Sequence, residues 1–231
     1  MHENWHTLNT QIINCTRCPR LVEHCQQIAQ VKRKSFADWD YWGKPVPNFG
    51  DPDARLLIIG LAPAAHGANR TGRMFTGDRS GDFLYRAMYE TGLANQPTAT
   101  HADDGLALHD IAITAAAHCA PPANKPTRDE CDACFDYLPA TVRALKHLKG
   151  IIVLGGIALD TAVKLYRAMD WSPMKPKPKF GHGKMYRYEA APFLLCSYHP
   201  SQQNTFTGRL TADMLREVFE TAKQAVDEAD A

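Results

Sequence analysis

The chain has 231 residues, 45% of them hydrophobic and 22% charged, with a formal net charge of +1. That balance suits one globular domain with a single large core, and it neither demands nor excludes a nucleic-acid partner. No run approaches ~20 apolar residues, which excludes a spanning helix, and residues 1–14 lack the basic start and apolar core of a secretory leader. The expected location is therefore the cytoplasm.

Residues 1–35 read as helix around Cys15 and Cys18, with Pro19 to Glu23 opening an amphipathic stretch. An aromatic, proline-rich connection follows over 36–53, with Trp39, Tyr41, Trp42, Pro45, Pro47 and Pro52. The first strong strand lies at 55–61, and a glycine-rich loop leads from it to a helix near 80–92 that Gly92 closes. A second strand occupies about 108–116. The loop from Cys119 to Thr127 carries Pro121, Pro122 and Pro126 and cannot be helical. Thr127 caps a helix to about 147, with Asp129 and Glu130 in its first turn. A third strand at 150–154 is closed by Gly155 and Gly156, and a helix covers 157–169. A basic loop from Met174 to Lys184 leads to a short strand at 185–189, a fourth core strand at 192–198 and a final helix at about 210–228. Helices alternating with continuous apolar strands imply a three-layer α/β/α architecture on a central four-stranded parallel sheet, a single domain over 1–231.

Open α/β sheets bind ligands beyond the carboxyl ends of their strands, and here those ends carry unusual chemistry. The strand at 192–198 delivers His199, Ser201, Asn204, Phe206 and Arg209; the strand at 55–61 runs into Gly60 to Asp78. Arg70, Arg73, Arg79, Arg209, Lys175, Lys177, Lys179 and Lys184 lie in or beside these loops. Such loops suit phosphate positioning, against the plainer reading of a solvated surface. Phe75 and Phe206 offer flat faces for stacking on a base or wedging into a stack.

Seven cysteines are many for a cytosolic domain, where disulfides are disfavoured and metal, catalysis or burial remain. Cys15 and Cys18 form a chelate pair, Cys196 reads as core, and Cys25 as spare. A structural zinc would take Cys15/Cys18 with Cys131/Cys134, and spacing alone favours it. An iron–sulfur cluster accepts the less regular set Cys15, Cys18, Cys119 and Cys134.

Three long motifs carry a resemblance. They are Gly60-Leu61-Ala62-Pro63-Ala64-Ala65-His66-Gly67 continuing through Phe75-Thr76-Gly77-Asp78, Cys119-Ala120-Pro121-Pro122 with Asn124, and His199 through Thr211. In these the chain resembles the uracil-DNA glycosylase superfamily, and most closely its type 5 (type b) branch, from about Cys15 to about residue 225. The resemblance implies hydrolysis of the N-glycosidic bond of uracil, and of other deaminated bases such as hypoxanthine, in duplex DNA. It implies a structural 4Fe–4S cluster on Cys15, Cys18, Cys119 and Cys134, with Cys131 a bystander. For that chemistry the candidate catalytic residues are His199, a donor to the departing base, Asp78, the only carboxylate in the first long motif, and Asn124, which would help hold the water. Gly60, Ala62, Pro63, Ala64, Phe75, Ala115, Ser201, Asn204 and Arg209 would bind substrate. Asp78 also has a purely structural reading, as the N-cap of the following helix. Related branches place a polar residue where this chain has Leu61 and an asparagine where it has Ala115, departures that agree with type 5. A monomeric, nucleoid-associated enzyme is expected. The rival reading is a non-catalytic iron–sulfur or zinc module that only binds nucleic acid.

Overall fold

The computed structural model describes residues 3–171 and 176–230. Of the expected basic loop, Met174 and Lys175 lie outside the described residues.

Four apolar runs form the centre of the sheet: β2 (Leu56–Gly60), β3 (Ile111–Ala115), β4 (Gly150–Leu154) and β6 (Ala191–Ser197). They pair in parallel in the order β3-β2-β4-β6. Every residue of β2, β3 and β4 is buried, as a sheet covered on both faces requires. Alternation then divides the core. Leu56, Ile58, Ile113, Ile152 and Leu195 pack under α4 (Arg79–Glu90) and α9 (Ala212–Asp230). Leu57, Ile59, Ile151, Val153 and Cys196 pack under α6 (Tyr137–Ala144) and α7 (Gly156–Ala168).

The expected architecture holds: the short strand expected at 185–189 joins the sheet edge, and one unexpected strand is added at the other margin. The sheet has six strands because β1 (Phe49–Gly50) joins β3 and β5 (Met185–Tyr188) joins β6, both antiparallel. β1 is two residues long in a proline-rich connection, too short to leave a periodic signal.

The helix expected from Thr127 to about 147 is instead two, α5 (Arg128–Cys134) and α6. Pro139 has no N–H to donate to the Phe135 carbonyl one turn back, and its ring crowds that position, so one continuous helix cannot pass. The amino-terminal part is likewise two helices, α1 (Glu3–Ile13) and α2 (Pro19–Val31), broken at the Cys15–Cys18 turn. The loop after β2 holds a short α3 (Ala68–Thr71), and the loop after β6 holds α8 (Gln202–Phe206).

Candidate active site

In chain order β2, β3, β4 and β6, the parallel strands stand 3-2-4-6, so the order reverses between β2 and β4. A crevice opens beyond their carboxyl ends at such a reversal. The loops after β2, β3 and β6 meet there and enclose a pocket lined by Gly60, Leu61, Ala62, Pro63, Ala64, Phe75, Asp78, Ala115 and His199. Six of the nine residues expected to bind substrate are in it, together with two of the three expected to be catalytic. The pocket measures about 50 Å³, room for water and short of a nucleobase. Phe75 and His199 close it, their rings tilted by 36° with centroids 5.8 Å apart.

Phe75 has a φ of 53°, a left-handed conformation that costs a bulky residue on the order of 1–3 kcal/mol and persists only where the surroundings enforce it. Two glycines do so. A Cβ on Gly81 would run into the Phe75 carbonyl, and one on Gly60 would sit 3.2 Å from the Phe75 ring. The ring therefore stands across the end of β2.

His199 is half-buried, and its Nδ1, shut off from solvent, has no hydrogen-bond partner. Burial lowers its pKa to about 4, so the ring is neutral at pH 7. Asn204 lies outside the pocket and braces it from behind, its Nδ2 donating to the His199 carbonyl at 2.8 Å. Ser201 caps α8, accepting from the Asn204 amide. Arg209 stacks over Tyr198 at 4.6 Å rather than entering the pocket.

Asp78 is the N-cap that its structural reading expects, and it also lines the pocket. Its Oδ1 accepts the Gly81 amide at 3.0 Å and caps α4, while the residue lines the pocket beside His199. Burial raises its pKa, the Gly81 and Ser80 amides and the Arg70 charge pull it down, and Asp82 pushes it up. Asn124 is exposed at φ 54°, next to Ala123 at φ 53°, in the turn that the prolines impose. It faces an open groove that it shares with His66, Asp78, Arg79 and Gln202. Phe206 projects from α8 with 67% exposure, and the Arg79 guanidinium lies 5.3 Å from its ring.

The basic set is only partly at the surface. Arg70 and Arg73 are 3% and 5% exposed, and Arg73 pairs with Asp104 at 2.8 Å. Neither is placed to hold phosphate. Lys177 pairs with Asp160 at 2.7 Å. Sequence reasoning missed the groove residues His66 and Gln202, and also Tyr41, whose hydroxyl lies 3.1 Å from His66 Nδ1. The His66 position inside the first long motif was the available signal.

Away from this pocket, Cys15, Cys18, Cys119 and Cys134 line one cavity with Arg17, Leu21, His118, Glu130 and Tyr137. Cys131 lines a different cavity, with Asp160 and Lys164. Among the described residues no three His, Cys, Asp or Glu side chains lie close enough to hold a single metal ion. The pairing Cys15/Cys18 with Cys131/Cys134 is thus not assembled. Four cysteines around one cavity, too dispersed for a single ion, would suit a larger inorganic core better, and Arg17 Nε lies 3.5 Å from Cys15 Sγ. Cys25 does not line that cavity; it is buried against Cys119, and its sulfur accepts the Ala120 amide at 3.2 Å.

Residues 47–223 match the model of the uracil DNA glycosylase superfamily. The chain is 52% identical over 218 residues to the type-5 uracil-DNA glycosylase of Mycobacterium tuberculosis, covering 94% of this chain and 80% of that one. It is 45% identical over 210 residues to the type-5 uracil-DNA glycosylase of Thermus thermophilus, covering 91% and 93%. The type-4 uracil-DNA glycosylase of Pyrobaculum aerophilum is more distant, 29% identical over 185 residues. Pocket, motifs and relatives agree: the chain belongs to the uracil-DNA glycosylase superfamily, on its type-5 branch.

Proposed function

We propose that this protein hydrolyses the N-glycosidic bond of uracil, and of other deaminated bases including hypoxanthine, in duplex DNA, leaving an abasic site. The observation that carries the reading is the neutral His199 with a buried, free Nδ1, set against Phe75 and Asp78 at the sheet's reversal point.

A glycosidic bond inside the stack is out of reach, so the damaged nucleotide is extruded. Phe206, exposed beside the pocket, fits the gap it leaves. The base enters as Phe75 and His199 separate, and stacks on Phe75. The C1′–N bond breaks with its electron pair going to the base, and an oxocarbenium-like sugar remains. A neutral imidazole donates one hydrogen bond, which strengthens as charge grows on the base oxygen. The Asp78 carboxylate faces the opposite charge on the sugar, and Asn124 and Asp78 orient the water that adds to C1′. The water's proton leaves and the base anion takes one up, so the balance closes. The methyl group of Ala115 imposes no hydrogen-bond test on the base edge, which supports a broad substrate range.

The cysteine cavity supports a second part of the reading. Cys15, Cys18, Cys119 and Cys134 hold a 4Fe–4S cluster that ties the turn between α1 and α2 to the loop after β3 and the end of α5. Its contribution is structural, since hydrolysis moves no electrons between redox centres. The deciding experiment is single-turnover excision on matched duplexes carrying uracil or hypoxanthine, with abasic sites read by alkaline scission. Excision of both supports the full proposal; excision of uracil alone removes the broad range; binding without excision favours a non-catalytic module.

A further inference from the structure

We propose that Arg70, clamped between the rings of Phe36 and Trp39, is a positioning residue that sets where the Asp78 carboxylate stands. The inference rests on the catalytic reading of Asp78 given above.

Arg70 is the most deliberately held side chain near the pocket. Its guanidinium lies 3.9 Å from the Phe36 ring centroid and 4.0 Å from that of Trp39. Nε donates to the His66 carbonyl at 2.8 Å and Nη2 to the Gly77 carbonyl at 2.7 Å. Those two carbonyls belong to the two ends of the loop, one beside Gly67 and the other on the peptide that leads into Asp78. Both glycines are needed for the fit. A Cβ on Gly77 would strike the guanidinium, and one on Gly67 would strike the Asp78 carboxylate. Gly77 also has a φ of 81°.

Stability alone gives no reason for this arrangement. Nη1 is buried with no partner, and among the described residues no carboxylate forms an ion pair with Arg70. An uncompensated buried cation is costly, and a neutral donor to the His66 and Gly77 carbonyls would satisfy the loop without that cost. The rings recover part of it, since a cation on an aromatic face gains most when desolvated. The rest is explained if the cation and its fork of donors serve Asp78, which they fix through Gly77 and whose charge Arg70 in turn feels.

The clamp is supplied from a distance. Phe36 and Trp39 follow α2, and the chain continues into contacts of the Trp42 amide with the Arg70 carbonyl at 2.9 Å and of the Gly43 amide with the Asn69 carbonyl at 3.0 Å. The segment that leaves the Cys15–Cys18 turn therefore ends as the lid over Arg70.

Trp39 is half-buried and does not line the pocket of Phe75 and His199, although it borders the outer groove that Asp78 and Asn124 share, so Trp39→Ala unseats the clamp without altering that pocket's lining. Single-turnover excision of uracil should slow about 10- to 100-fold, the range a small misplacement of a reacting group produces. Affinity for a non-cleavable duplex should stay within about twofold. The acidic limb of the pH–rate profile should move to higher pH, because a less well placed cation stabilises the carboxylate less. The other groups around Asp78 are Asp82 and Tyr85 from α4, His66 and Arg79 across the groove, and His199 in the pocket; the variant leaves all of them in place. Trp39→Phe should restore both rate and profile. In an Asp78→Asn background Trp39→Ala should cost nothing further. An equal slowing in both backgrounds, or an unmoved acidic limb, overturns the clamp while leaving Asp78 catalytic. An Asp78→Asn enzyme at the wild-type rate removes the Asp78 reading and the clamp with it. Phe36→Leu repeats the test from the other ring if Trp39→Ala does not fold.

Discussion

His199 is suited to its task by what burial denies it, a positive charge. A neutral donor stabilises an anion only as that anion forms, so its removal is felt in the transition state more than in binding. His199→Ala should lower the single-turnover rate on the order of 100-fold or more, with duplex affinity unchanged by comparison. Equal losses in rate and affinity, measured on cleavable and non-cleavable duplexes, would reassign it to positioning. Ala115 tests selectivity in the opposite direction: Ala115→Asn should narrow excision from hypoxanthine toward uracil in the same assay. One histidine also sets a pH limit. His199 has its pKa lowered by burial to about 4, against a usual 6.5. Between those values the unfolded chain binds a proton that the folded one refuses, so its contribution to stability is complete above pH 6.5 and falls as pH drops toward 4, with a slope of at most about 1.4 kcal/mol per pH unit. Urea midpoints at pH 7 and pH 5 should differ in that direction, and His199→Phe should flatten the difference. Placement at the strand ends was legible for Phe75, Ala115 and His199, which all line the pocket. Asp78 both caps α4 and lines the pocket, and the sequence shows cap and site as alternatives because only the folded loop brings the two together. Arg70 was misread: an arginine in a polar loop looks solvated until two rings from a segment over thirty residues away cover it.

At the scale of elements, strands were readable and breaks were not. β2, β3, β4 and β6 are buried on both faces and therefore write themselves as uninterrupted apolar runs. The split between α5 and α6 follows from Pro139, whose effect falls four residues upstream at Phe135, where the sequence shows only a helix-compatible pattern. That break lets α5 stop with Cys134 at the cysteine cavity while α6 lays Leu138 and Val142 on the sheet. The Cys15–Cys18 turn, the loop before Pro121 and the end of α5 are held together there with few apolar contacts of their own: Leu21, Cys25, Cys119 and Ala120 make up the local core. Cys119→Ser should consequently lose iron and solubility together, read by absorbance near 400 nm and by yield of soluble protein. Cys25→Ser should retain the iron, since a hydroxyl still accepts from the Ala120 amide. Colourless wild-type protein carrying one tightly bound zinc would contradict the four-cysteine reading.

At the scale of the whole molecule, the sheet's order could be inferred only in part. Four strands and their direction follow from alternation with helices, and the short strand expected at 185–189 turns straight into β6 as β5, whereas β1 depends on chain from a separate connection lying alongside β3. Those two edge strands have a consequence for how the protein behaves among its own copies. β1 offers two residues between Pro47 and Pro52. β5 shifts register between Tyr186 and Tyr188 and carries the exposed Arg187. A border that is short, or kinked and charged, is a poor template for another strand. Both margins are of that kind, so self-association by strand addition is closed off while the four parallel strands behind stay sheltered. Light scattering should give the mass of one chain across the concentration range, and Arg187→Val should be the change that brings on concentration-dependent aggregation.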